Sequence, residues 1–219
     1  MEILYQDKRI LVALKPSGIL STDEEGGMPQ LLREHLGDAH ACVRTVHRLD
    51  AAVSGVMVFA RSAKAASLLS QQIREHKFEK EYLAVVHGQP PATDTLTDLL
   101  VRDSARRMTL VASAPGKNVQ EASLSYRVLA QKGGFSLVQI RLHTGRTHQI
   151  RVQFSSRGWP LAGDRKYGSD AAEHPIALWS HRIAFTHPEN GEQMEFRHNP
   201  PASAPWNLFF SDEKQEVFL

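Results

Sequence analysis

Apolar side chains along this chain occur mainly in short runs that end at glycine, proline, asparagine or aspartate, a pattern typical of β-strands. The runs Glu2–Tyr5 and Ile10–Leu14 flank a polar stretch and predict a β-hairpin. Gly133-Gly134 and Asn190-Gly191 predict the tight turns of two more hairpins. Six further runs predict the remaining strands: Val53–Ala60, Tyr82–His87, Ser123–Ala130, Phe135–Leu142, Trp179–Thr186 and Gln193–Phe196.

Three segments instead space their apolar residues as a helix does. Pro29–Leu36 begins with a proline, which suits a first helical turn. Ser62 is a typical N-cap for a helix that runs to about His76, and Thr147–Arg157 predicts a third helix with Thr147 as its cap. Many strands in hairpins with a few helices between them predict an α+β fold with a mixed, mostly antiparallel sheet. No linker is evident, so we predict one domain over residues 1–219.

The charge distribution adds a hint about partners. The net charge is only +2, with 26 Lys and Arg against 24 Asp and Glu. Residues 101–170 nevertheless carry a net charge of +8, whereas residues 1–100 carry −2 and residues 171–219 carry −4. A basic middle segment in a nearly neutral chain is typical of a surface that binds a polyanion. On charge alone, an ordinary solvated surface fits as well.

Targeting signals and cysteines bear on the compartment. Met1–Asp7 lacks a basic patch followed by an apolar stretch, so no signal peptide is predicted. No run approaches the length of a membrane helix. The single cysteine, Cys42, allows no intrachain disulfide. These observations favour a cytoplasmic protein without membrane contact.

The first candidate for chemistry is His47-Arg48-Leu49-Asp50, which is followed by Ser54-Gly55 and a buried strand. It places a carboxylate in a loop beside two side chains that can be cationic. A neighbouring cation would keep Asp50 ionised, as a nucleophile or a base requires. The same pattern also fits an aspartate in a structural ion pair.

Three further clusters carry polar or aromatic side chains. In Gly145–Arg151, Arg146 and Arg151 could pair with a carboxylate and hold a phosphate, or lie solvated on a helix. Tyr82 could pack in the core or offer a platform on which a base stacks. Gly163–Gly168 suits a loop over a cleft and equally a plain surface turn.

Together these clusters resemble the RluA-type family of pseudouridine synthases. That family is marked by an early KPxG, a HRLD motif with a downstream Ser-Gly, a GRTHQIR segment and a GDxxYG turn. This chain has the corresponding residues in the family's order: Lys15–Gly18, His47–Asp50, Ser54-Gly55, Gly145–Arg151, and Gly163-Asp164 with Tyr167-Gly168. One four-letter match would be weak, but five in order are specific and cover most of the chain.

The resemblance implies an RNA pseudouridine synthase with an active cleft across the sheet. It implies that Asp50 is the nucleophile and that Arg146 pairs with its carboxylate. It further implies that Tyr82 stacks on the flipped uracil and that Arg48 fills the space left by the base. The expected substrate is structured ribosomal or transfer RNA. The reaction requires no metal or cofactor, so we predict none.

The resemblance also bears on how RNA is held. Many relatives carry an N-terminal RNA-binding module, whereas this chain enters its first predicted strand at Glu2. We therefore expect the catalytic domain itself to contact RNA, and we expect a monomer. The candidate contacts, besides Arg48, are Ile150, Arg151, Arg165 and Lys166.

Departures from the family pattern affect substrate fit more than chemistry. Val53 stands where threonine is usual, Gln153 where histidine is frequent, and Leu178-Trp179-Ser180 where the family often reads Leu-His-Ala. Two rival functions remain at this stage. One is a catalytically silent RNA-binding factor on the same scaffold. The other is a hydrolase that uses Asp50 with His47 or His148.

Overall fold

A computed structural model describes residues 1–168 and 174–210 of the chain. The described strands are β1 Ile3–Gln6, β2 Ile10–Lys15, β3 Arg44–Thr45, β4 Ser54–Ala60, β5 Glu79–His87, β6 Thr93–Asp103, β7 Met108–Val111, β8 Val119–Lys132, β9 Phe135–Leu142, β10 Leu178–Thr186 and β11 Gln193–Arg197. The described α-helices are α1 Met28–Leu36, α2 Ala63–Arg74 and α3 Gln149–Ser155, and a 3-10 helix spans Trp206–Leu208.

The chain forms two compact units. The first unit consists of Met1–Lys80 and Ser180–His198. The second consists of Glu81–Trp179 and the described residues from Asn199 onward. The chain passes from the first unit to the second within β5 and returns within β10. That residues 1–219 form one domain stays a prediction.

The first unit is built on the strand order β1-β2-β4-β10, with β3 beside β4 and β11 beside β10. Its buried core includes Val56, Val58, Leu69 and Phe185. Helix α2 begins as predicted, because the Ser62 hydroxyl accepts the N–H of Ala65 at 3.1 Å. Helix α1 starts one residue before the predicted proline and ends at Leu36, where Gly37 caps it with a left-handed backbone (φ 66°) that suits glycine.

The second unit has the strand order β5-β9-β8-β6-β7. The strand pairs β5–β9, β8–β9, β6–β8 and β6–β7 are antiparallel, as are β1–β2, β2–β4, β3–β4 and β10–β11 in the first unit. The predicted α+β class with a mostly antiparallel sheet is therefore confirmed. All three predicted hairpins are present. The sequence pattern did not reveal β6, because only Leu96 and Leu100 of its residues are buried.

Helix α3 is shorter than predicted. It begins at Gln149 rather than Thr147 and ends at Ser155 rather than Arg157. Thr147 is not its cap, because the preceding turn places His148 in the left-handed region (φ 54°) and no side chain caps the helix. All residues from Gln149 to Phe154 are buried, so the helix is held by packing rather than by its caps.

Candidate active site

The loop that carries Asp50 lies in the first unit, between β3 and β4, and Asp50 itself is half-buried. Hydrogen bonds from residues near the end of β2 hold the loop after Asp50. The Lys15 ammonium donates to the carbonyl oxygens of Ala51 at 2.9 Å and Val53 at 2.8 Å. The N–H of Gly18 also donates to the Ala51 carbonyl, at 2.8 Å. These contacts fix the backbone on the C-terminal side of the carboxylate.

A second set of hydrogen bonds fixes the residue before Asp50. The buried Ser21 hydroxyl donates to the Leu49 carbonyl at 2.8 Å and accepts the N–H of Leu49 at 3.1 Å. Ser21 satisfies both backbone groups of one residue, which is what an irregular buried loop requires. Asp50 is thus anchored from both sides, and this preorganisation suits a group that must meet a reacting atom.

Lys15, the last residue of β2 and the first of the KPxG motif, has a role at this loop that the sequence did not reveal. Its side chain is completely buried (0% exposed) and donates a third hydrogen bond, to the Pro16 carbonyl at 2.9 Å. Burial lowers the pKa of Lys15 to about 8, against the opposing effect of the neighbouring Asp50 carboxylate. Below this pH the Lys15 ammonium places a positive charge near the Asp50 carboxylate.

The buried Lys15 predicts a pH-dependent stability. In the unfolded chain its pKa returns to 10.5, so between about pH 8 and 10.5 the unfolded chain binds more protons than the folded one. Burial of the charged Lys15 therefore destabilises the protein to its full extent below about pH 8. The free energy of unfolding then rises with pH between about pH 8 and 10.5. The rise is about 3 kcal/mol, because the pKa of Lys15 is about 8 in the folded protein and 10.5 in the unfolded chain.

A comparison with Lys15→Met isolates this group from all others that titrate. Urea unfolding at a series of pH values gives the free energy of unfolding of both proteins. The wild-type value minus the variant value should increase between about pH 8 and 10.5. A difference that stays constant, or decreases, would contradict the assigned burial of the charge.

His47 has a structural place rather than a catalytic one. Its ring is buried against Phe78, with 5.4 Å between the ring centroids. Its Nε2 accepts the N–H of Val58 at 3.2 Å, so that nitrogen already has its proton donor. Burial, assisted by the positive charge of Lys80, lowers the pKa of His47 to about 3. A neutral ring with its acceptor nitrogen occupied is a poor general base. His47 therefore does not support the hydrolase hypothesis.

Close packing explains the Ser54-Gly55 motif. Gly55 has φ 122°, and a Cβ added there would lie 2.4 Å from the Ser180 carbonyl oxygen. Only glycine fits at this point. The departure at Ser180 is accommodated as well, because its hydroxyl donates to the Val56 carbonyl at 2.9 Å.

Arg146 and Tyr82 lie in the second unit. Arg146 is exposed in the turn between β9 and α3, and its Nε donates to the Glu121 carbonyl at 3.0 Å. The Gln149 side chain accepts the backbone N–H of Arg146 at 3.0 Å. Tyr82 lies in β5 with only 5% of its surface exposed. Both predicted roles, pairing with Asp50 and stacking on uracil, stay predictions.

The remaining predicted RNA contacts divide by burial. Arg151 is 7% exposed and forms a two-point ion pair with Asp164, with Nε–Oδ2 at 2.8 Å and Nη2–Oδ1 at 2.7 Å. Ile150 is 4% exposed. By contrast, Arg165 and Lys166 in the second unit and Arg48 in the first are exposed. The structure thus gives Arg151 a partner inside the protein, and its contact with RNA stays a prediction.

A comparison with known families tests the resemblance. The sequence profile of the RNA pseudouridylate synthase family matches residues 9–156. The chain belongs to the RNA pseudouridine synthases. This family isomerises uridine in RNA to pseudouridine, so the predicted reaction and the predicted enzyme class are confirmed.

Individual relatives agree with this membership. The dual-specificity RNA pseudouridine synthase RluA of Escherichia coli (strain K12) is 36% identical over 89% of this chain and 91% of the relative. The ribosomal large subunit pseudouridine synthase D of Zymomonas mobilis is 32% identical over 90% of this chain and 68% of the relative. The solved structure of human RNA Pseudouridylate Synthase Domain Containing 1 shares the fold, with a TM-score of 0.78, 24% identity and coverage of 91% of this chain and 83% of that one.

The positions of the predicted residues in this pseudouridine synthase are now defined within each unit. Asp50 and Arg48 belong to the first unit, and Tyr82, Arg146, Ile150, Arg151, Arg165 and Lys166 belong to the second. Their convergence on one cleft remains a prediction from the family. No helix in the described part of this enzyme is long and apolar enough to cross a membrane.

Proposed function

We propose that this pseudouridine synthase modifies uridines in structured ribosomal or transfer RNA and that Asp50 is its nucleophile. The observation that supports the nucleophile is the fixed loop around Asp50. Its backbone is held on both sides by hydrogen bonds from Lys15, Gly18 and Ser21. Support for the substrate class comes from relatives named for the ribosomal large subunit and for dual specificity. We further propose a monomer that acts in the cytoplasm.

The reaction breaks one bond to the ribose and forms another. The bond between C1′ and N1 of uracil breaks, the detached base turns, and C5 bonds to C1′. The proton on C5 then leaves, and N1 gains one. Asp50 can assist by attacking C1′, by adding to the uracil ring, or by accepting a proton in an elimination route.

The other groups act on the base and on the carboxylate. The target base must leave the RNA stack, which costs roughly a few kcal/mol. Arg48 offsets part of this cost by filling the gap, and stacking on Tyr82 contributes ~1–3 kcal/mol. Arg146 pairs with Asp50 and holds its charge in place. A site closed to water keeps the detached uracil from escaping and the sugar from being hydrolysed.

Basic side chains of the second unit supply phosphate contacts in this proposal. Exposed cations lie at the β6–β7 hairpin and in the Gly163–Gly168 turn: Arg102, Arg106, Arg107, Arg165 and Lys166. The Lys166 ammonium contacts the Arg107 carbonyl at 2.9 Å, so the hairpin and the turn lie side by side. Arg157 belongs to the same basic segment, residues 101–170, but its guanidinium forms an ion pair with the Asp98 carboxylate at 2.9 Å.

Salt dependence tests this assignment. Arg106→Gln and Lys166→Gln should each weaken RNA binding to a similar extent for different RNA sequences. Each should also reduce the magnitude of the negative slope of log K against log salt, where K is the association constant for RNA, by roughly 1 or less. Lys64→Gln, which removes an exposed cation from α2 in the first unit, is the matched control and should leave the slope unchanged. Equal slopes for all four proteins would refute the assignment.

The substrate class is tested by offering both RNAs separately. Unmodified ribosomal and transfer RNA transcripts are incubated with the enzyme, and pseudouridine is mapped at nucleotide resolution. We expect new pseudouridine at defined positions in one or both pools. Conversion scattered over many uridines without a structural context would contradict the recognition of structured RNA.

A further inference from the structure

The hydroxyl of Tyr167 lies at the centre of a hydrogen-bond network in the second unit. Tyr167 is 8% exposed and belongs to the Gly163–Gly168 turn. Its hydroxyl accepts the buried backbone N–H of Thr109 at 2.7 Å and lies 2.7 Å from Nδ1 of His148. A phenol that joins a strand to a turn in this way satisfies polar groups on both.

This network converges on the turn that carries Arg146. The Thr109 hydroxyl donates to the carbonyl of Thr147 at 2.9 Å. His148 follows directly and adopts a left-handed backbone (φ 54°) that residues with a Cβ rarely adopt. Such a conformation persists only when its surroundings hold it. The contact between His148 and the Tyr167 hydroxyl is one such constraint, two residues from Arg146.

The Tyr167 ring is itself held from the other side. The Arg151 guanidinium lies over it, with Cζ 5.1 Å from the ring centroid. Asp164 pairs with Arg151 and also accepts the N–H of Lys166 at 3.0 Å. The Ser155 hydroxyl donates to the Tyr167 carbonyl. The ring therefore stays in place when only its hydroxyl is removed, which makes the hydroxyl separable by substitution.

We propose that the Tyr167 hydroxyl is a positioning group for Arg146. By joining β7 to the left-handed turn at His148, it fixes the direction in which the turn presents the Arg146 guanidinium. This inference rests on the proposed role of Arg146 in the reaction. It assigns to the Gly163–Gly168 turn a function in catalysis that is separate from contact with RNA.

Tyr167→Phe tests the proposal directly. The rate constant of a single turnover is measured with unmodified ribosomal and transfer RNA transcripts and enzyme in saturating excess. We expect about a tenfold lower rate constant, because a small displacement of a catalytic group has effects of this order. RNA affinity should remain within about twofold, as the change removes no phosphate contact. Because enzyme is in saturating excess, a misfolded fraction leaves this rate constant unchanged as long as the folded enzyme still saturates the RNA.

Tyr126→Phe is the matched control. Tyr126 is also a buried tyrosine of the second unit, but its hydroxyl has no hydrogen-bond partner within the described structure. This variant should keep the wild-type rate constant. A wild-type rate constant for Tyr167→Phe, or an equal loss in both variants, would overturn the proposal.

A double-mutant cycle shows whether Tyr167 acts through Arg146. In an Arg146→Lys background, Tyr167→Phe should have little further effect on the rate constant, because the side chain it positions is already replaced. The same loss in both backgrounds would overturn the inference while leaving the role of Arg146 intact. A wild-type rate for Arg146→Lys alone would instead refute that part of the proposed function, and the inference with it.

Discussion

Replacement of Asp50 by asparagine should abolish pseudouridine formation, with a loss in rate on the order of 10⁴ or more. The amide has nearly the shape of the carboxylate, but it is neither a nucleophile nor a base at neutral pH. The contacts that hold the loop involve the backbone of Leu49, Ala51 and Val53, so the substitution leaves them in place. RNA affinity should therefore stay within a few-fold of wild type.

The control is an aspartate of the same unit outside this loop. Asp38 is exposed after α1, and Asp38→Asn should convert RNA at the wild-type rate. Conversion and RNA binding are measured separately for each protein. An Asp50→Asn enzyme that keeps more than about a hundredth of the wild-type rate would exclude Asp50 as the essential group.

Asp164→Asn should destabilise the protein by about 3–5 kcal/mol. Asp164 is 1% exposed and neutralises Arg151, which is 7% exposed. Removing the carboxylate charge leaves a guanidinium buried without its counter-charge, and desolvation of that ion is costly. Urea denaturation of the two proteins should show a much lower midpoint for the variant.

An exposed ion pair provides the comparison for this effect. Arg9 and Glu189 also form a close pair, with Nε–Oε1 at 2.7 Å, but their side chains are 42% and 52% exposed. Glu189→Gln should have little effect on the free energy of unfolding, because water screens an exposed ion pair. The double substitution Arg151→Met with Asp164→Asn should recover much of the stability lost in Asp164→Asn alone, because no unpaired charge remains and the asparagine side chain still accepts the N–H of Lys166. If Asp164→Asn cost no more than Glu189→Gln, the buried pair would not have the role given to it.

The elements that sequence analysis predicted well are those defined by local signals. Gly133-Gly134 and Asn190-Gly191 mark tight turns, and the hairpins around them follow from the flanking apolar runs. Ser62 identifies the start of α2 in the same local way, since its hydroxyl acts within one turn. Five motifs in a fixed order identified the family, and they did so without any knowledge of the fold.

The features that sequence analysis missed depend on contacts between distant residues. An arginine is a typical phosphate ligand, yet Arg151 pairs with Asp164, which lies in a separate motif. Lys15 belongs to the KPxG motif, but its complete burial at the end of β2 depends on carbonyl groups of residues 51 and 53. Thr147 has the character of a helix cap, but its carbonyl is bound by the Thr109 hydroxyl and the helix starts two residues later. Spacing along a chain carries no information about such partners.

The most direct measurement of the central claim is nucleotide-resolution mapping of pseudouridine in unmodified ribosomal and transfer RNA, together with an assay for free uracil. Wild-type enzyme and Asp50→Asn are compared under conditions where both bind RNA. The account predicts new pseudouridine at defined positions with the wild-type enzyme, none with the variant, and no free uracil. Binding without conversion by the wild-type enzyme, or release of uracil, would contradict it.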